Sequence, residues 1–212
     1  MSEEVDLPQE ITESLVLADP GALNTIGLIG DVTEETSNEL IFSLLMMKEK
    51  QELDYYTALA VSQAEEDVEE PEKPDINFYI STNGGSADEM FAIYDVMRLI
   101  KSKDVSSVCT YGLGKVMSAG VLLLAAGTKG KRRVGKHCRV MIHSVIGGST
   151  GPMHQLENEF SEVKKIQDNY ISALVSETNM TEEYLRDLLK KKINVYLSAE
   201  EAVELGIADE VC

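Results

Sequence analysis

Four short apolar runs alternate with segments of helical periodicity, and this alternation is the strongest constraint on the fold. The runs cover residues 26–30, 76–80, 105–111 and 139–143, a length typical of buried strands. Strands that alternate with helices favour an α/β architecture, in which right-handed crossovers connect a largely parallel sheet. In such a sheet, we expect functional residues at the ends of the strands.

Polar residues that can cap a helix mark the predicted helix starts. Thr33 and Thr181 each precede a helical pattern, and Ser86 and Ser198 each begin a Ser-x-x-Glu capping box. Gly206 stands where the last helix should end. The helix after Ser86 is predicted to bury residues spaced three or four apart, namely Met90, Ile93, Tyr94, Met97 and Ile100.

The chain of 212 residues has the size of one domain, which we predict over residues 1–212. Within it, residues 1–25 form an N-terminal segment and residues 152–178 a long polar helix. Residues 49–74 are rich in Asp and Glu and close with Pro71 and Pro74, which predicts an exposed acidic insertion.

The formal net charge of -18 opposes a role in binding nucleic acid, because phosphate contacts need a basic surface. One local exception is the basic run at residues 129–133, which we interpret as a solvated turn rather than a binding patch. The three cysteines are odd in number and lack a C-x-x-C pair, so neither disulfides nor zinc are expected.

Neither a secretory signal nor a membrane span is expected. The acidic N-terminus lacks the basic and apolar regions of a signal peptide, and the apolar stretch 116–126 is about half the length that a span requires. These features predict a cytoplasmic protein that acts away from the membrane.

Ser118 is the best candidate nucleophile, because it follows a glycine-bearing strand exit and begins an apolar helix. Alternatively, it only caps that helix. His143 ends a strand and could serve as a base or as a structural histidine. Gly84 and Gly85 follow another strand, where they form either an oxyanion site or an ordinary tight turn. Val116 excludes the G-x-S-x-G elbow of the α/β-hydrolases.

Several motifs together resemble ClpP, the family of proteolytic subunits of the Clp machines. They follow the family's order at residues 83–86, 92–95, 122–132, 139–143, 147–148 and 198–206. The resemblance implies an α/β fold of ClpP/crotonase-like repeated βαβ units, with residues 152–178 as a protruding handle helix. It also implies a tetradecamer of two stacked heptameric rings that cleaves unfolded polypeptides, with a Clp-type ATPase unfoldase as partner and with no cofactor or metal.

The resemblance also assigns roles to individual residues. Ser118 would be the nucleophile and His143 the general base, and the backbone amides of Gly85 and Ala119 would form the oxyanion hole. The segment Gly147, Gly148, Ser149, Thr150 and Gly151 would pair with the substrate as an added strand.

Asn194 stands at the position of the family's third catalytic residue, which is usually Asp. Asn can orient a histidine but brings no charge to stabilise the imidazolium, and Asp187 is a weaker alternative partner. Tyr79 keeps an aromatic residue of the family's unfoldase-docking pocket, whereas Asn77 and Thr110 replace apolar ones. The acidic insertion is longer than the family's turn, and the N-terminal segment is shorter than usual.

Three alternative functions remain open. The chain could be a weakly active or inactive ring subunit that assembles with an active paralogue, as Asn194 suggests. It could also be a phage head-maturation protease, since phages encode some members of the family. A crotonase that stabilises an acyl-CoA enolate is less favoured, because Ser118 occupies the helix start where that chemistry needs carboxylates nearby.

Overall fold

The structure is a computed structural model that describes residues 24–64, 68–191 and 193–212. The N-terminal segment predicted over residues 1–25 therefore lies almost wholly outside the described residues. Within these ranges there are seven strands and six helices. In chain order they are β1 (Thr25–Ile29), α1 (Glu34–Ala64), β2 (Asp75–Thr82), α2 (Ala87–Ser102), β3 (Ser107–Met117), α3 (Ala119–Ala125), β4 (Arg132–Val134), β5 (Arg139–Ile142), α4 (Met153–Glu177), α5 (Glu182–Lys190), β6 (Val195–Leu197), α6 (Ala199–Glu204) and β7 (Glu210–Val211).

The strands form one mostly parallel sheet, so the predicted α/β architecture is confirmed. Its main path runs β1-β2-β3-β4-β7, and every pair along this path is parallel. β5 pairs in parallel with the second half of β3, and β6 pairs with β5 in the antiparallel direction. The carboxyl ends of β2, β3 and β5 consequently lie side by side, as ends of parallel strands do.

β3 is longer than predicted, because it continues through the glycines that were expected to end it. The register against β2 shifts between Ile80 paired with Gly112 and Thr82 paired with Val116, which inserts a bulge into β3. Gly114 takes a positive φ of 65° within this bulge, a conformation that glycine adopts readily. The bulge separates the part of β3 that pairs with β4 from the part that pairs with β5.

The first part of the segment 49–74, predicted as an exposed acidic insertion, is helical, and most of its residues from 53 to 64 are exposed. Residues 49–64 continue α1, since neither Gly nor Pro interrupts the chain there. Lys48 and Glu52 are buried and form an i,i+4 ion pair of 2.8 Å, and Glu52 also pairs at 2.8 Å with Lys103, which directly follows α2. Residues 68–74 have no regular structure, and most of them are exposed.

The basic run at residues 129–133 is not simply a solvated turn, because Arg132 is only 4% exposed. Its guanidinium donates hydrogen bonds to the carbonyls of Ala125, Glu177 and Gly206 at 3.2, 2.7 and 2.8 Å. It also pairs with Asp209 at 2.6 Å. Arg132 therefore joins the C-terminal ends of α3 and α4 to the loop before β7.

The predicted helix caps are confirmed. The side chains of Ser86, Thr181 and Ser198 each accept a hydrogen bond from a backbone N–H of the first turn. The capping box at Ser198 is complete, whereas the carboxylate of Glu89 accepts a hydrogen bond from Ser37 of α1 instead of closing its own box. The predicted inner face of α2 is also buried as expected.

The core surrounds α3, all seven residues of which are buried between the sheet and the helices α2 and α4. Among the helices of the described ranges, none combines the length and the apolarity that crossing a bilayer demands.

Candidate active site

Ser118 occupies the turn between β3 and α3 with φ 54° and ψ -119°, a region that non-glycine residues rarely enter. Such a conformation costs about 1–3 kcal/mol and persists only where the surroundings enforce it. The Ser118 side chain makes no capping hydrogen bond to α3. The alternative that Ser118 only caps this helix is therefore wrong.

Three hydrogen bonds fix the backbone of Ser118. Its N–H donates to the carbonyl of Met141 in β5 at 2.8 Å. Its carbonyl accepts from the N–H of Val121 at 3.0 Å and from the hydroxyl of Tyr170 in α4 at 3.1 Å. A neighbouring strand, the first turn of α3 and a distant helix thus each restrain the turn.

The glycines after β2 pack directly against this turn and against the segment before α1. A Cβ on Gly84 would lie 2.6 Å from the Cβ of Ser118, and a Cβ on Gly85 would lie 2.2 Å from the carbonyl oxygen of Val32. Their φ values of 95° and 153° also favour glycine. An ordinary tight turn would not require this close approach, so Gly84 is fitted to the Ser118 turn and Gly85 to the backbone of Val32.

Two backbone N–H groups next to Ser118 remain available. A β-bridge joins Val32 to the segment around Gly85: the Val32 N–H donates to the Gly84 carbonyl, and the Val32 carbonyl accepts from the Ser86 N–H. The N–H of Gly85 takes no part in these two hydrogen bonds. The N–H of Ala119 is the first in α3, where intrahelical acceptors are lacking. Throughout the described ranges neither N–H has a hydrogen-bond acceptor.

His143 directly follows β5, whose register places Met141 opposite Met117. Its ring is half-buried, and Nδ1 lies 2.5 Å from the carbonyl oxygen of Ser144. Since a carbonyl only accepts, this contact favours the tautomer of the neutral ring in which Nδ1 carries the proton and Nε2 has the lone pair. The hydroxyl of Ser118 makes no hydrogen bond to this ring in the part of the chain that the structure describes; such contacts are often long in unliganded enzymes.

Ser118 and His143 line the same cavity of about 340 Å³. Gly85 and Ala119, which carry the two available N–H groups, line it as well. Much of the remaining wall is apolar and comes from α2, α4 and the segment after His143, through Met90, Val145, Ile146, Ile166 and Tyr170. The cavity thus combines a hydroxyl, an imidazole with a free lone pair, two N–H donors and an apolar wall.

A sequence model of the Clp protease family matches residues 65–212 of the chain, which is well over half of its length. The chain belongs to the Clp protease family. The match begins after α1 and includes every residue discussed at the cavity except Val32. It supports a ClpP-type peptidase, and it leaves β1 and α1 outside the matched region.

Asn194 lies opposite His143 in the extended register of β5 and β6, but within the described ranges no hydrogen bond joins its side chain to the ring. β5 and β6 are antiparallel with Ile142 opposite Val195, so one further step along the ladder brings His143 opposite Asn194. The Asn194 side chain is exposed, and the Nδ1 proton of His143 goes to Ser144 instead. Asp187 is exposed and pairs with Lys190 at 3.2 Å, so it does not replace Asn194.

The predicted substrate strand of this Clp protease, residues 147–151, is exposed and has no regular structure. It follows Ile146, whose exposed fraction of 83% is the largest among the exposed apolar side chains of the described ranges. The N–H of Val145 donates to the side chain of Gln167 in α4 at 3.2 Å. Beyond this point the backbone groups of the segment are available for pairing with another chain.

The residues compared with the family's docking pocket lie in two different places. The rings of Tyr79 and Tyr111 stack with their centroids 4.6 Å apart, and the Tyr111 hydroxyl donates to Asn77 at 3.2 Å. Thr110, in contrast, is fully buried and donates to the carbonyl of Leu124 at 2.8 Å. Thr110 is therefore a core residue and not part of a docking surface.

Tyr170 contributes to the site although no sequence motif marks it, since a tyrosine in a long helix is usually only a packing residue. The sequence around a single buried tyrosine does not indicate which group accepts the hydrogen bond from its hydroxyl. For metal binding, the described ranges contain no group of three or more His, Cys, Asp or Glu side chains that could hold an ion.

Proposed function

We propose that this Clp protease family member is a serine endopeptidase subunit that cleaves unfolded polypeptides through an acyl-enzyme. One observation carries the proposal: the uncapped hydroxyl of Ser118, held in a strained turn, shares a cavity with the His143 ring and with two N–H groups that lack acceptors. A strained, over-determined backbone is a common feature of catalytic nucleophiles.

In the proposed mechanism, His143 Nε2 removes the hydroxyl proton of Ser118 as the Ser118 Oγ attacks the scissile carbonyl carbon. The N–H groups of Gly85 and Ala119 donate to the oxyanion that forms. The imidazolium then returns the proton to the leaving amine, and the peptide C–N bond breaks. A water molecule, deprotonated by the same histidine, hydrolyses the resulting ester and restores the Ser118 hydroxyl.

Substrate recognition is proposed to rest on the exposed backbone of residues 147–151. Main-chain pairing of an extended peptide along this segment would give affinity with little sequence selectivity. The apolar cavity wall formed by Met90, Ile146 and Ile166 favours an apolar side chain next to the scissile bond.

We also propose the assembly into two stacked heptameric rings, with α4 as the handle between them. The N-terminal half of α4 is largely exposed and carries Met153 and Phe160, with exposed fractions of 72% and 67%. Apolar side chains on a surface helix are typical of protein contacts. The stacked pair of Tyr79 and Tyr111 is the proposed contact for a Clp-type ATPase unfoldase.

A second candidate is a weakly active ring subunit that assembles with an active paralogue. The exposure of Asn194 and the absence of a hydrogen bond from it to the His143 ring in the described ranges favour this candidate, because the imidazolium would then have no carboxylate that stabilises its charge.

Labelling with a fluorophosphonate probe, combined with native mass measurement of the purified particle, tests the proposal. We expect one labelled serine per chain at Ser118, a particle of fourteen chains, and a loss of peptidase activity of at least about 10³-fold in Ser118→Ala. Ser176→Ala is the control, because the Ser176 hydroxyl only donates to the Ala173 carbonyl within α4. Absence of labelling on correctly assembled particles would contradict the serine mechanism.

A further inference from the structure

The carbonyl of Ser118 and the N–H of Ala119 belong to the same peptide unit. Because that unit is planar and trans, the direction of the carbonyl determines the direction in which the N–H points. An oxyanion donor is effective only when it is aimed at the position where the negative charge develops. A hydrogen bond that fixes the direction of the Ser118 carbonyl therefore also fixes the direction of the Ala119 N–H.

Two groups hold this carbonyl, and they differ in kind. The Val121 N–H, at 3.0 Å, belongs to the first turn of α3 and moves with it. The Tyr170 hydroxyl, at 3.1 Å, comes from α4, 52 positions further along the chain. Tyr170 is thus the contact that ties the peptide unit to an element outside its own turn.

The environment of Tyr170 keeps its hydroxyl in the donor form. The residue is 5% exposed, and burial raises the pKa of its hydroxyl well above the usual value. Its partner is a neutral carbonyl, which accepts a proton but cannot remove one. The hydroxyl therefore donates to Ser118 across the whole working range of a peptidase.

We propose that Tyr170 is a positioning residue of the active site: its hydroxyl fixes and polarises the Ser118–Ala119 peptide unit, so that the Ala119 N–H is aimed as a strong oxyanion donor. A carbonyl that accepts a hydrogen bond makes the N–H of the same peptide a better donor, because hydrogen bonds in series polarise one another. The inference rests on the proposed serine mechanism and adds a residue to it.

The position of Tyr170 in α4 gives this contact a further consequence. The C-terminal half of α4, with Tyr170, Ile171 and Leu174, is buried, whereas the N-terminal half is exposed. Tyr170 therefore lies in the half of α4 that the fold of one chain buries, and its hydrogen bond to Ser118 does not depend on a contact at the exposed half.

Tyr170→Phe tests the proposal, because it removes the hydroxyl and keeps the ring that lines the cavity. The Ser118 carbonyl still accepts from Val121, so no buried acceptor is left without a partner. Tyr94→Phe is the matched control: Tyr94 is also 5% exposed, and its hydroxyl donates to Glu177 in α4 at 3.0 Å, away from the cavity.

Three quantities are measured for the wild type and both variants at a temperature well below unfolding. They are the rate of fluorophosphonate labelling, kcat and KM for a fluorogenic peptide amide with an apolar residue before the scissile bond, and the pH midpoint of kcat/KM. We expect Tyr170→Phe to lower the labelling rate and kcat by about tenfold, with KM and the pH midpoint unchanged, since it weakens a donor used mainly in the transition state. Tyr94→Phe should lower the Tm and leave the labelling rate within about twofold of the wild type.

Each other outcome has a distinct meaning. Equal labelling rates in Tyr170→Phe and the wild type would overturn the role of Tyr170 and leave the serine mechanism intact. If the labelling rate and kcat fall in both variants in proportion to the decrease in Tm, Tyr170 contributes only to packing, which would also overturn the proposal. A shifted pH midpoint would place its effect on the histidine and also overturn the proposal. A wild type that takes no label would remove the serine mechanism and this inference together.

Discussion

The Ser118 side of the cavity is made of buried elements, whereas the His143 side leads directly into an exposed segment. Ser118 is held by hydrogen bonds from β5, α3 and α4, and the helix that follows it is buried throughout. After His143 the chain leaves the sheet, and residues 146–151 are exposed. The difference indicates that the proposed nucleophile and the proposed oxyanion donors are pre-organised by the fold of one chain, while the proposed base and the proposed substrate strand have few contacts within it.

Hydrogen exchange of backbone amides gives the largest expected contrast between the two sides. Amides inside α3 should exchange only through global unfolding, and amides 146–151 should exchange almost as fast as in an unfolded chain. We therefore expect protection factors that differ by about 10⁴-fold or more, as measured by mass spectrometry of the purified protein.

A covalent peptide-based inhibitor sharpens this comparison. If the exposed segment pairs with substrate, inhibitor binding should raise protection at residues 147–151 and leave α3 unchanged. Protection of the free segment equal to that of α3 would contradict the contrast and would indicate a strand partner from another copy of the chain.

Asp209→Asn should destabilise the buried side. The variant removes the carboxylate that pairs with the buried Arg132, and breaking a buried ion pair typically costs about 3 kcal/mol. Urea unfolding at pH 7 measures the loss. Asp187→Asn is the control, because its pair with Lys190 is exposed and should contribute less than about 1 kcal/mol.

Asp209→Asn should also make the free energy of unfolding depend less on pH at acidic pH. Burial raises the pKa of Asp209, but hydrogen bonds and the charge of Arg132 outweigh this effect, so the pKa lies below its usual value. A depressed pKa gives stability that is present above the unfolded-state value of about 4 and is lost as the pH falls through the folded-state value. Between about pH 5 and pH 3, the wild type should thus lose more stability than Asp209→Asn; an equal loss would show that this pair does not contribute to acid unfolding.

Asn194→Asp has the smallest expected effect and tests the exposed side. A carboxylate opposite His143 would stabilise the imidazolium, and we expect kcat for a fluorogenic peptide to rise by about tenfold. Asn158→Asp, which adds the same charge to the exposed part of α4, should leave kcat unchanged. A rate in Asn194→Asp that stays equal or falls would show that Asn at this position is no handicap.

Sequence patterns alone predicted much of the scaffold. The four apolar runs, the capping residues and the inner face of α2 all depend on interactions within a few residues, so a local pattern is enough to place them. Local patterns failed at Glu52 and Arg132, which were assigned to exposed segments. Both are buried beside charged partners, Lys103 and Asp209, that are distant in sequence, so a local pattern does not reveal these ion pairs.

The sequence by itself determined the parallel α/β layering, the positions of Ser118, His143 and the paired glycines at strand ends, and the membership of the Clp protease family. Only the tertiary structure decided that the Ser118 turn is strained and uncapped, that Gly84 packs against it, and that Tyr170 holds its carbonyl. The physical reason is range: periodicity and capping are properties of neighbours along the chain, whereas strain, close backbone approach and a hydroxyl's partner depend on segments that meet only after folding.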